Sequence, residues 1–371
     1  MSEKVRCIRF NSSQDCFAVG TDGGLRIFSC SPLSEICYLN SSKVGSVQLC
    51  SFWHHSNIFA IVSGGHYPKF AENTVIFWDD AKKKAVAEIV VGSPVLNVFI
   101  THSHIVIVEK RLVHIFTYPK DVEQLQCYDT IYNPDGVSDA SAGGITEYLV
   151  FPVENKGRVQ LVDMNKVGKK SSPSTATIQA HTSDIARLAL NNQGKILATG
   201  SIKGTLIRLF DVPSLKPLFV FRRGLDTAVL HCLRFSPCSS FLGVYSDKGT
   251  VHIFTLEKPE DTKLFNKKTL FSYVGLAQED GERNCAQFSL PGNTGFAEIG
   301  FQYLSSSKPQ KSGCSHNSVK CCFFLTCNIV AVCADGTFHR YFLNLDGTCV
   351  REGFEMFLDL GDEQHFWNDD I

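Results

Sequence analysis

One short pattern recurs seven times along this chain of 371 residues. Each copy is a strand of alternating residues, often preceded by a glycine-containing turn, that closes on an aromatic or apolar side chain. The spacings between closing residues are 50, 38, 46, 48, 44 and 88 residues. The first five approach the period of roughly 40–45 residues of a WD40-type blade, and the last, about two periods, indicates an insertion. The closing residues are Phe28, Trp78, Phe116, Val162, Phe210, Phe254 and Phe342.

Seven copies of this unit predict an all-β chain that forms a single domain, a seven-bladed WD40-type β-propeller over residues 1–371. Each blade would be a four-stranded antiparallel sheet, and radial packing would hide most sheet edges. The tail, 354–371, is acidic and is expected to pack only partly. The expected blades cover about residues 5–33, 34–93, 94–127, 128–175, 176–224, 225–285 and 286–352.

The composition narrows the class of protein. The 36 Lys and Arg nearly balance the 37 Asp and Glu, which argues against a nucleic-acid-binding domain with an extended basic face. The first residues contain no apolar signal region, and no run reaches the roughly 18 apolar residues that a membrane-spanning helix needs. The 15 cysteines follow no repeated spacing, so they are expected to be reduced thiols in the cytosol. Any membrane contact should therefore be peripheral.

Two adjacent arginines, Arg222 and Arg223, end an apolar strand-like run and are followed by Gly224. Neighbouring side chains of a strand point to opposite faces, so the pair cannot serve one small ligand from the same side. If both are functional, they belong to two pockets, one on each side of the strand, and each guanidinium suits a phosphate. Gly224 would let the chain turn without a side chain in the way. The alternative is a solvated strand end.

The sequence on either side of the arginine pair favours the functional interpretation. A Ser-x-Lys-Gly-Thr turn lies upstream, at 201–205, and the same turn lies downstream, at 246–250. Each turn opens a strand that carries a basic residue, Arg208 in the first and His252 in the second. Small hydroxyls, backbone N–H groups and cations are the donors that a phosphate needs. The pair therefore lies between two copies of a phosphate-binding pattern.

An insertion of mixed apolar and basic character follows the sixth closing strand, at 257–275. Part of it, about 269–274, has the pattern of an outer strand of that blade. The rest could contact a bilayer, where each Lys near anionic lipid contributes about 1 kcal/mol. The candidate membrane-contact residues are Lys263, Leu264, Phe265, Lys267 and Lys268.

The sequence offers little support for an enzyme. It contains no Ser/His/Asp arrangement with a recognisable local context, no Walker-type loop and no paired Cys-x-x-Cys motifs. Cys314, His316, Cys321 and Cys322 could suggest a metal site, but their spacing fits no common zinc pattern. We therefore expect no catalytic residues, no cofactor and no metal. The remaining alternative is a WD40 protein-interaction scaffold that binds no lipid.

The arginine motif between two Ser-x-Lys-Gly-Thr strands resembles the PROPPIN family, known in animals as WIPI proteins. The run 68–80 is similar to the shorter-chained branch that holds the third and fourth WIPI members. The resemblance covers essentially the whole chain. It implies a propeller that binds phosphatidylinositol 3-phosphate and phosphatidylinositol 3,5-bisphosphate at its rim during autophagosome formation.

The resemblance also implies roles for individual residues. The first lipid site would contain Arg222 together with His181, Thr199, Ser201, Gly204, Thr205 and Arg208. The second would contain Arg223 and Gly224 with Ser246, Thr250 and His252. For His181 the alternative is the structural hydrogen-bond network of an ordinary WD40 blade.

The family's other properties concern partners. The insertion matches the family's membrane-inserting loop. Blades one to three are expected to bind the large autophagic lipid-transfer protein, with Asn11 at a plausible contact. A monomeric cytoplasmic protein, recruited to phagophore, autophagosomal or endosomal membranes, follows from the resemblance.

Overall fold

Seven four-stranded antiparallel sheets make up the computed structural model of this chain, and each is built from consecutive strands. This architecture confirms the predicted all-β, seven-bladed propeller in one domain. We number the blades one to seven in chain order. No helix of the described part is long and apolar enough to cross a membrane. The structure describes residues 3–141, 143, 145–168, 174–256, 284–292, 295–303, 327–344 and 346–360.

Blades one and two are joined by a single helical turn, α1 (Ser41–Val44). Their strands are β1 (Val5–Phe10), β2 (Cys16–Thr21), β3 (Gly24–Cys30), β4 (Leu33–Asn40), β5 (Gly45–Phe52), β6 (Ile58–Pro68), β7 (Thr74–Asp79) and β8 (Lys84–Val90).

Blades three and four follow, and a short 3-10 turn at Met164–Lys166 comes after the third strand of blade four. Their strands are β9 (Asn97–Ile100), β10 (His104–Val108), β11 (Leu112–Thr117), β12 (Gln124–Asp129), β13 (Asp139–Ala140), β14 (Tyr148–Pro152), β15 (Arg158–Asp163) and β16 (Thr175–Gln179).

Blades five to seven complete the ring, and a 3-10 turn at Phe357–Asp359 follows the last strand. Their strands are β17 (Ile185–Leu190), β18 (Ile196–Ser201), β19 (Leu206–Asp211), β20 (Pro217–Arg222), β21 (Leu230–Phe235), β22 (Phe241–Ser246), β23 (Thr250–Thr255), β24 (Ala286–Ser289), β25 (Ala297–Tyr303), β26 (Cys327–Cys333), β27 (Thr337–Leu343) and β28 (Cys349–Met356).

All seven closing residues of the recurrent sequence pattern lie in the third strand of a blade. The third strands are mostly buried because both faces of a blade pack against neighbouring blades. The buried apolar residues of the described chain form seven clusters, one between each pair of adjacent blades. A single blade cannot bury its two apolar faces alone, and each face is therefore covered by a neighbouring blade.

The expected blade boundaries differ from the sheets at the outer strands. Leu33–Asn40 pairs with the third strand of blade one, and Thr175–Gln179 pairs with that of blade four. Ala286–Ser289 takes the outer position of blade six. The expected outer strand at about 269–274 lies outside the described residues. Outer strands expose one face, and their weaker apolar pattern gives no signal of the blade to which they belong.

The start of the tail, which was expected to pack only partly, belongs to the core. Phe357 is fully buried and makes edge-to-face contacts with Phe17 and Phe28 of blade one. The Arg26 guanidinium also donates a hydrogen bond to the Leu358 carbonyl at 2.6 Å. The ring thus closes through contacts between blades seven and one. The remainder of the tail, 361–371, lies outside the described residues.

Candidate functional site at the rim of blades five and six

Alternation along β19 and β20 decides which side of blade five each candidate residue takes. Phe210 packs between blades four and five, whereas Phe221 packs between blades five and six. Arg208 lies two residues from Phe210 on β19, so it shares the blade-four side. Arg222 is paired with Leu206, which has the same parity as Arg208, and therefore takes that side too.

Arg223 lies on the other side of the same strand. Its backbone N–H donates to the Thr205 carbonyl at 2.9 Å, so the ladder continues one residue beyond β20. Phe221, of the same parity, stacks on Phe254 of blade six with ring centroids 4.7 Å apart. The positive charge of Arg223 also contributes to the lowered pKa of the His252 imidazole in blade six, so the two side chains lie close together. The two arginines therefore belong to two different inter-blade clefts.

His181 is buried in a hydrogen-bond network on the blade-four side. Its Nε2 atom lies 3.1 Å from the Thr199 carbonyl and 3.0 Å from the Thr199 hydroxyl. A carbonyl only accepts, so Nε2 carries the proton and donates. The Thr199 hydroxyl donates to the Arg208 carbonyl at 3.1 Å, and Arg208 Nη1 donates to the Ala180 carbonyl at 2.7 Å.

Burial decides the charge state of His181, although the hydrogen bond to Thr199 acts to raise its pKa. Burial lowers the pKa of the imidazole to about 4, and the charge of Arg208 acts in the same direction. The side chain is therefore neutral at pH 7. These contacts are the kind of structural hydrogen-bond network expected for a histidine of a WD40 blade. Positive charge on this side of blade five therefore comes from arginine.

The turn between β18 and β19 needs glycine for a steric reason. The Gly204 N–H donates to the Ser201 carbonyl at 2.8 Å, and Gly204 has φ of +63°, a left-handed conformation. A Cβ atom at Gly204 would lie 2.0 Å from the Ala228 carbonyl oxygen. This close approach joins the turn to the segment 223–229, which leads from blade five to blade six.

Arg223 ties the same two segments together. Its Nε donates to the Gly204 carbonyl at 2.6 Å, and its Nη2 donates to the Asp226 carbonyl. Burial lowers the pKa of the guanidinium, while the carboxylates of Asp247 and Asp226 act in the opposite direction. The group stays protonated at neutral pH, as arginine does in proteins.

The second cleft contains buried polar atoms that lack a partner. Within the described part of the chain, the Ser246 hydroxyl and the His252 Nδ1 atom are buried without a hydrogen bond. Thr250, Ser246 and His252 share the face of blade six that is turned toward blade five. Burial, followed by the charge of Arg223, lowers the pKa of His252 to about 4. Such unsatisfied atoms are costly unless a ligand or a water meets them.

The expected site residues differ in how far they reach solvent. Thr205, Arg208, Arg222 and Thr250 are half-buried and lie at the rim. Gly224 is also half-buried. The remaining expected site residues are buried: His181, Thr199, Ser201, Gly204, Arg223, Ser246 and His252. The half-buried residues therefore present their side chains to solvent, whereas the buried ones are largely covered.

Gly224 does not play the conformational role expected from its sequence. Its φ lies outside the left-handed region that favours glycine, and a Cβ atom there would meet nothing within 4 Å. Sequence reasoning also missed Asp226, Ala228 and Asp247, which fasten the segment after the arginine pair. The polar turn residues that follow Gly224 were the available signal.

Two expectations concern residues elsewhere. The membrane-contact residues Lys263, Leu264, Phe265, Lys267 and Lys268 lie outside the described residues, as do the four candidate metal ligands of 314–322. Among the described residues, Asp15, Cys16 and His55 bring one ligand atom each within 4.8 Å of one another. The Asp15 carboxylate also accepts from Asn11 and Ser13, as expected for a closed polar turn.

Comparison of the sequence with known proteins finds a matching family and related chains. The sequence profile of the family described as PROPPIN matches residues 4–280, most of the chain. Ectopic P granules protein 6 of Caenorhabditis elegans is 32% identical over 338 residues, covering 90% of this chain and 81% of that protein. Autophagy-related protein 18e of Arabidopsis thaliana is 30% identical over 303 residues, covering 80% and 78% respectively.

Solved structures share the fold. Kluyveromyces lactis Hsv2 with its complete loop 6CD has a TM-score of 0.75 at 22% identity, covering 96% of this chain and 100% of that one. KlAtg21, solved in complex with the coiled-coil of AgAtg16, has a TM-score of 0.69 at 18% identity and covers 95% and 99%. At these identities the likeness concerns the fold.

Proposed function

This chain belongs to the PROPPIN family, and on that premise we propose that it is a non-catalytic reader of membrane phosphoinositides that acts in autophagy. It binds phosphatidylinositol 3-phosphate and phosphatidylinositol 3,5-bisphosphate, and binding recruits the autophagy machinery to the membrane. One observation carries the proposal: Arg222 and Arg223 leave the end of one strand on opposite sides, each toward a different cleft.

The chemistry of the head group matches what the clefts offer. A phosphate monoester carries about 1.5 to 2 negative charges at pH 7 and has several acceptor oxygens. In the first cleft Arg222 and Arg208 supply cations at the rim, and the family resemblance assigns the Thr205 hydroxyl to the same site as a donor. His181 and Thr199 lie beneath them and hold the Arg208 backbone and the strand in place.

The second cleft uses Arg223 differently. A guanidinium has five N–H donors, and its bonds to the Gly204 and Asp226 carbonyls involve Nε and Nη2. Nη1 and the second Nη2 hydrogen can be directed at a phosphate. Thr250 supplies a hydroxyl at the rim, and the unpartnered Ser246 hydroxyl lies on the same face.

Two weak sites on one rigid rim bind a membrane more tightly than either does alone, because the second binding event is intramolecular. The propeller would stand edge-on, with Lys263, Leu264, Phe265, Lys267 and Lys268 of the insertion adding contact. The protein is then a cytoplasmic monomer that is recruited to phagophore, autophagosomal or endosomal membranes.

A protein partner belongs to the same proposal. Blades one to three remain available for the autophagic lipid-transfer protein, and the coiled-coil complex of KlAtg21 favours protein binding by this fold. Asn11 is only 1% exposed and its amide bonds to Asp15, so it shapes the turn, while the exposed Asp15 offers the contact. A WD40 scaffold without lipid binding is the alternative function.

Co-sedimentation with liposomes tests the lipid assignment. The purified protein is mixed with vesicles with and without phosphatidylinositol 3-phosphate, beside the Arg222→Ala/Arg223→Ala double variant. Arg351→Ala, an exposed arginine of blade seven, is the control for the loss of a positive charge away from the two clefts. Circular dichroism and urea unfolding establish that every variant is folded, which matters because Arg223 also joins two segments.

We expect lipid-dependent pelleting of the wild type and of Arg351→Ala, with loss of pelleting in the folded double variant. Equal pelleting of all three proteins, or none from the wild type, would contradict the lipid assignment. A protein-binding propeller would then be the better description.

A further inference from the structure

Three large apolar side chains are exposed beside the arginine pair. Ile202 is 58% exposed, Leu225 is 84% exposed and Val229 is 59% exposed. Ile202 lies in the turn between β18 and β19, and the other two lie in the segment between β20 and β21. We call these three side chains the rim patch. The segment with Leu225 and Val229 follows the arginine pair directly, and hydrogen bonds join it to the turn that carries Ile202.

The backbone turn that carries Ile202 does not require an apolar residue at that position. The turn at 201–204 closes through Gly204 N–H to the Ser201 carbonyl, and the turn at 246–249 of blade six closes in the same way. The second residue is Asp247 in blade six, a typical turn residue, but Ile202 in blade five. The same backbone geometry thus exists in this chain with a polar residue, so the isoleucine is not needed for the turn.

The two segments that carry the rim patch are fastened to each other and to blade six. The Ala228 N–H donates to the Lys203 carbonyl at 3.2 Å. The Val229 N–H donates to Asp247 Oδ1 at 3.0 Å, and the Asp247 N–H donates back to the Val229 carbonyl at 3.0 Å. Together with the Arg223 bond to Gly204, these contacts order the backbone before any partner arrives. Binding through the patch costs little ordering entropy.

The charges around the patch distinguish a bilayer from other apolar partners. Lys203 and Lys248 are exposed and add to the arginine pair, whereas Asp226 and Asp247 oppose them. Positive charge therefore exceeds negative charge around the apolar side chains. Apolar tips among basic residues suit the boundary between anionic head groups and acyl chains.

We propose that the rim patch inserts into the acyl-chain boundary of the bilayer while the arginine clefts hold the head groups. The inference rests on the proposed lipid function and specifies how that site meets the membrane. It assigns bilayer contact to Ile202, Leu225 and Val229 of blades five and six, separately from the insertion at 257–275. The patch distinguishes a lipid in a membrane from its soluble head group, which the clefts alone do not.

The test compares vesicles with a soluble head group. The Ile202→Asn/Leu225→Ser/Val229→Thr triple variant removes the patch with residues that a turn or an extended segment accepts. Ile145→Asn and Val90→Thr are matched controls; these residues are 102% and 61% exposed, in blades four and two. Binding to vesicles with 5% phosphatidylinositol 3-phosphate is measured beside calorimetric binding of glycerophosphoinositol 3-phosphate.

We expect the triple variant to lose about 10- to 100-fold in vesicle affinity, from the apolar area that no longer leaves water. Its affinity for the soluble head group should stay within about twofold of wild type, and both controls should bind vesicles normally. If the triple variant binds vesicles and the soluble head group as the wild type does, the rim patch does not insert into the bilayer, but the proposed function stands. The same result is expected if the rim patch contacts a protein instead. A wild type that binds neither ligand overturns both.

Leu225→Trp gives a second measurement that does not depend on loss of binding. Its fluorescence should shift to the blue on vesicles and be quenched by lipids brominated in the acyl chain. The soluble head group should cause no shift, and the protein without the new tryptophan provides the background. A tryptophan that binds vesicles yet remains unquenched lies outside the bilayer and would refute insertion.

Discussion

The His181 network predicts a stability difference that depends on pH. The imidazole is 5% exposed and donates from Nε2 to the Thr199 carbonyl at 3.1 Å. Replacing it in the variant His181→Gln removes a group that titrates and keeps a side chain able to donate a hydrogen bond. At pH 7.5 the variant should be less stable by about 1–3 kcal/mol, the usual cost of disturbing a buried hydrogen bond.

The pKa of His181 sets the size of the pH effect. It is about 4 in the folded chain against 6.5 for the unperturbed group. Because the pKa of His181 is lower in the folded chain, the imidazole of the unfolded chain takes up a proton first as the pH falls below 6.5. Wild-type stability is therefore lost between pH 6.5 and pH 4. At pH 5 the loss from this one histidine is about 2 kcal/mol, and the variant, whose glutamine does not titrate, has no such loss.

Urea unfolding at pH 7.5 and pH 5.0 measures this difference. Other groups titrate in the same window; the Asp139 pKa, raised to about 6 by burial, acts in the opposite sense. They are common to both proteins and cancel in the comparison. The free-energy gap between wild type and variant should narrow by about 2 kcal/mol on acidification. A gap that is the same at both pH values would refute a neutral, buried His181.

Two further predictions concern the backbone and core beneath the arginine pair, both measured by urea unfolding. Gly204→Ala should cost more than about 2 kcal/mol, because φ is +63° and the new Cβ would lie 2.0 Å from the Ala228 oxygen. Gly224→Ala, the matched control, should stay within about 1 kcal/mol, and equal costs would contradict the geometry. Phe221→Ala should cost about 3–5 kcal/mol, since the ring is 1% exposed and stacks on Phe254; a cost below about 1 kcal/mol would contradict this packing.

The repeated strand pattern was enough to predict the propeller because each third strand is buried by two neighbouring blades. Phe28, Phe210 and Phe254 mark that position, and their burial imposes an apolar, alternating pattern on the sequence. The outer strands carry no comparable constraint. Leu33–Asn40 exposes every second residue, including Ile36 and Tyr38, so its membership in blade one depends on pairing that sequence alone does not display.

The sequence names candidate residues for the site, but it does not predict how deeply each of them is buried. Alternation correctly separates Arg222 from Arg223, since it depends only on strand geometry. Burial depends on which other segment covers a residue. Thr199 and Ser246 are fully buried because neighbouring blades and loops cover them, and Arg223 is covered by the segment that it holds. The sequence therefore predicts donors for a phosphate without distinguishing contact from support.

The lowered pKa values of the two histidines bear on the lipid binding that we propose for this rim. His181 and His252 are neutral at pH 7, so they add hydrogen-bonding capacity but no charge. The attraction for a phosphate then depends on Arg208, Arg222 and Arg223, whose charge does not vary in the physiological range. Binding through arginine alone should be insensitive to pH between 6.5 and 8, apart from titration of the phosphate itself, and sensitive to salt. In our proposal, specificity for a membrane over a free phosphate comes from groups outside the clefts, namely the exposed apolar side chains beside them.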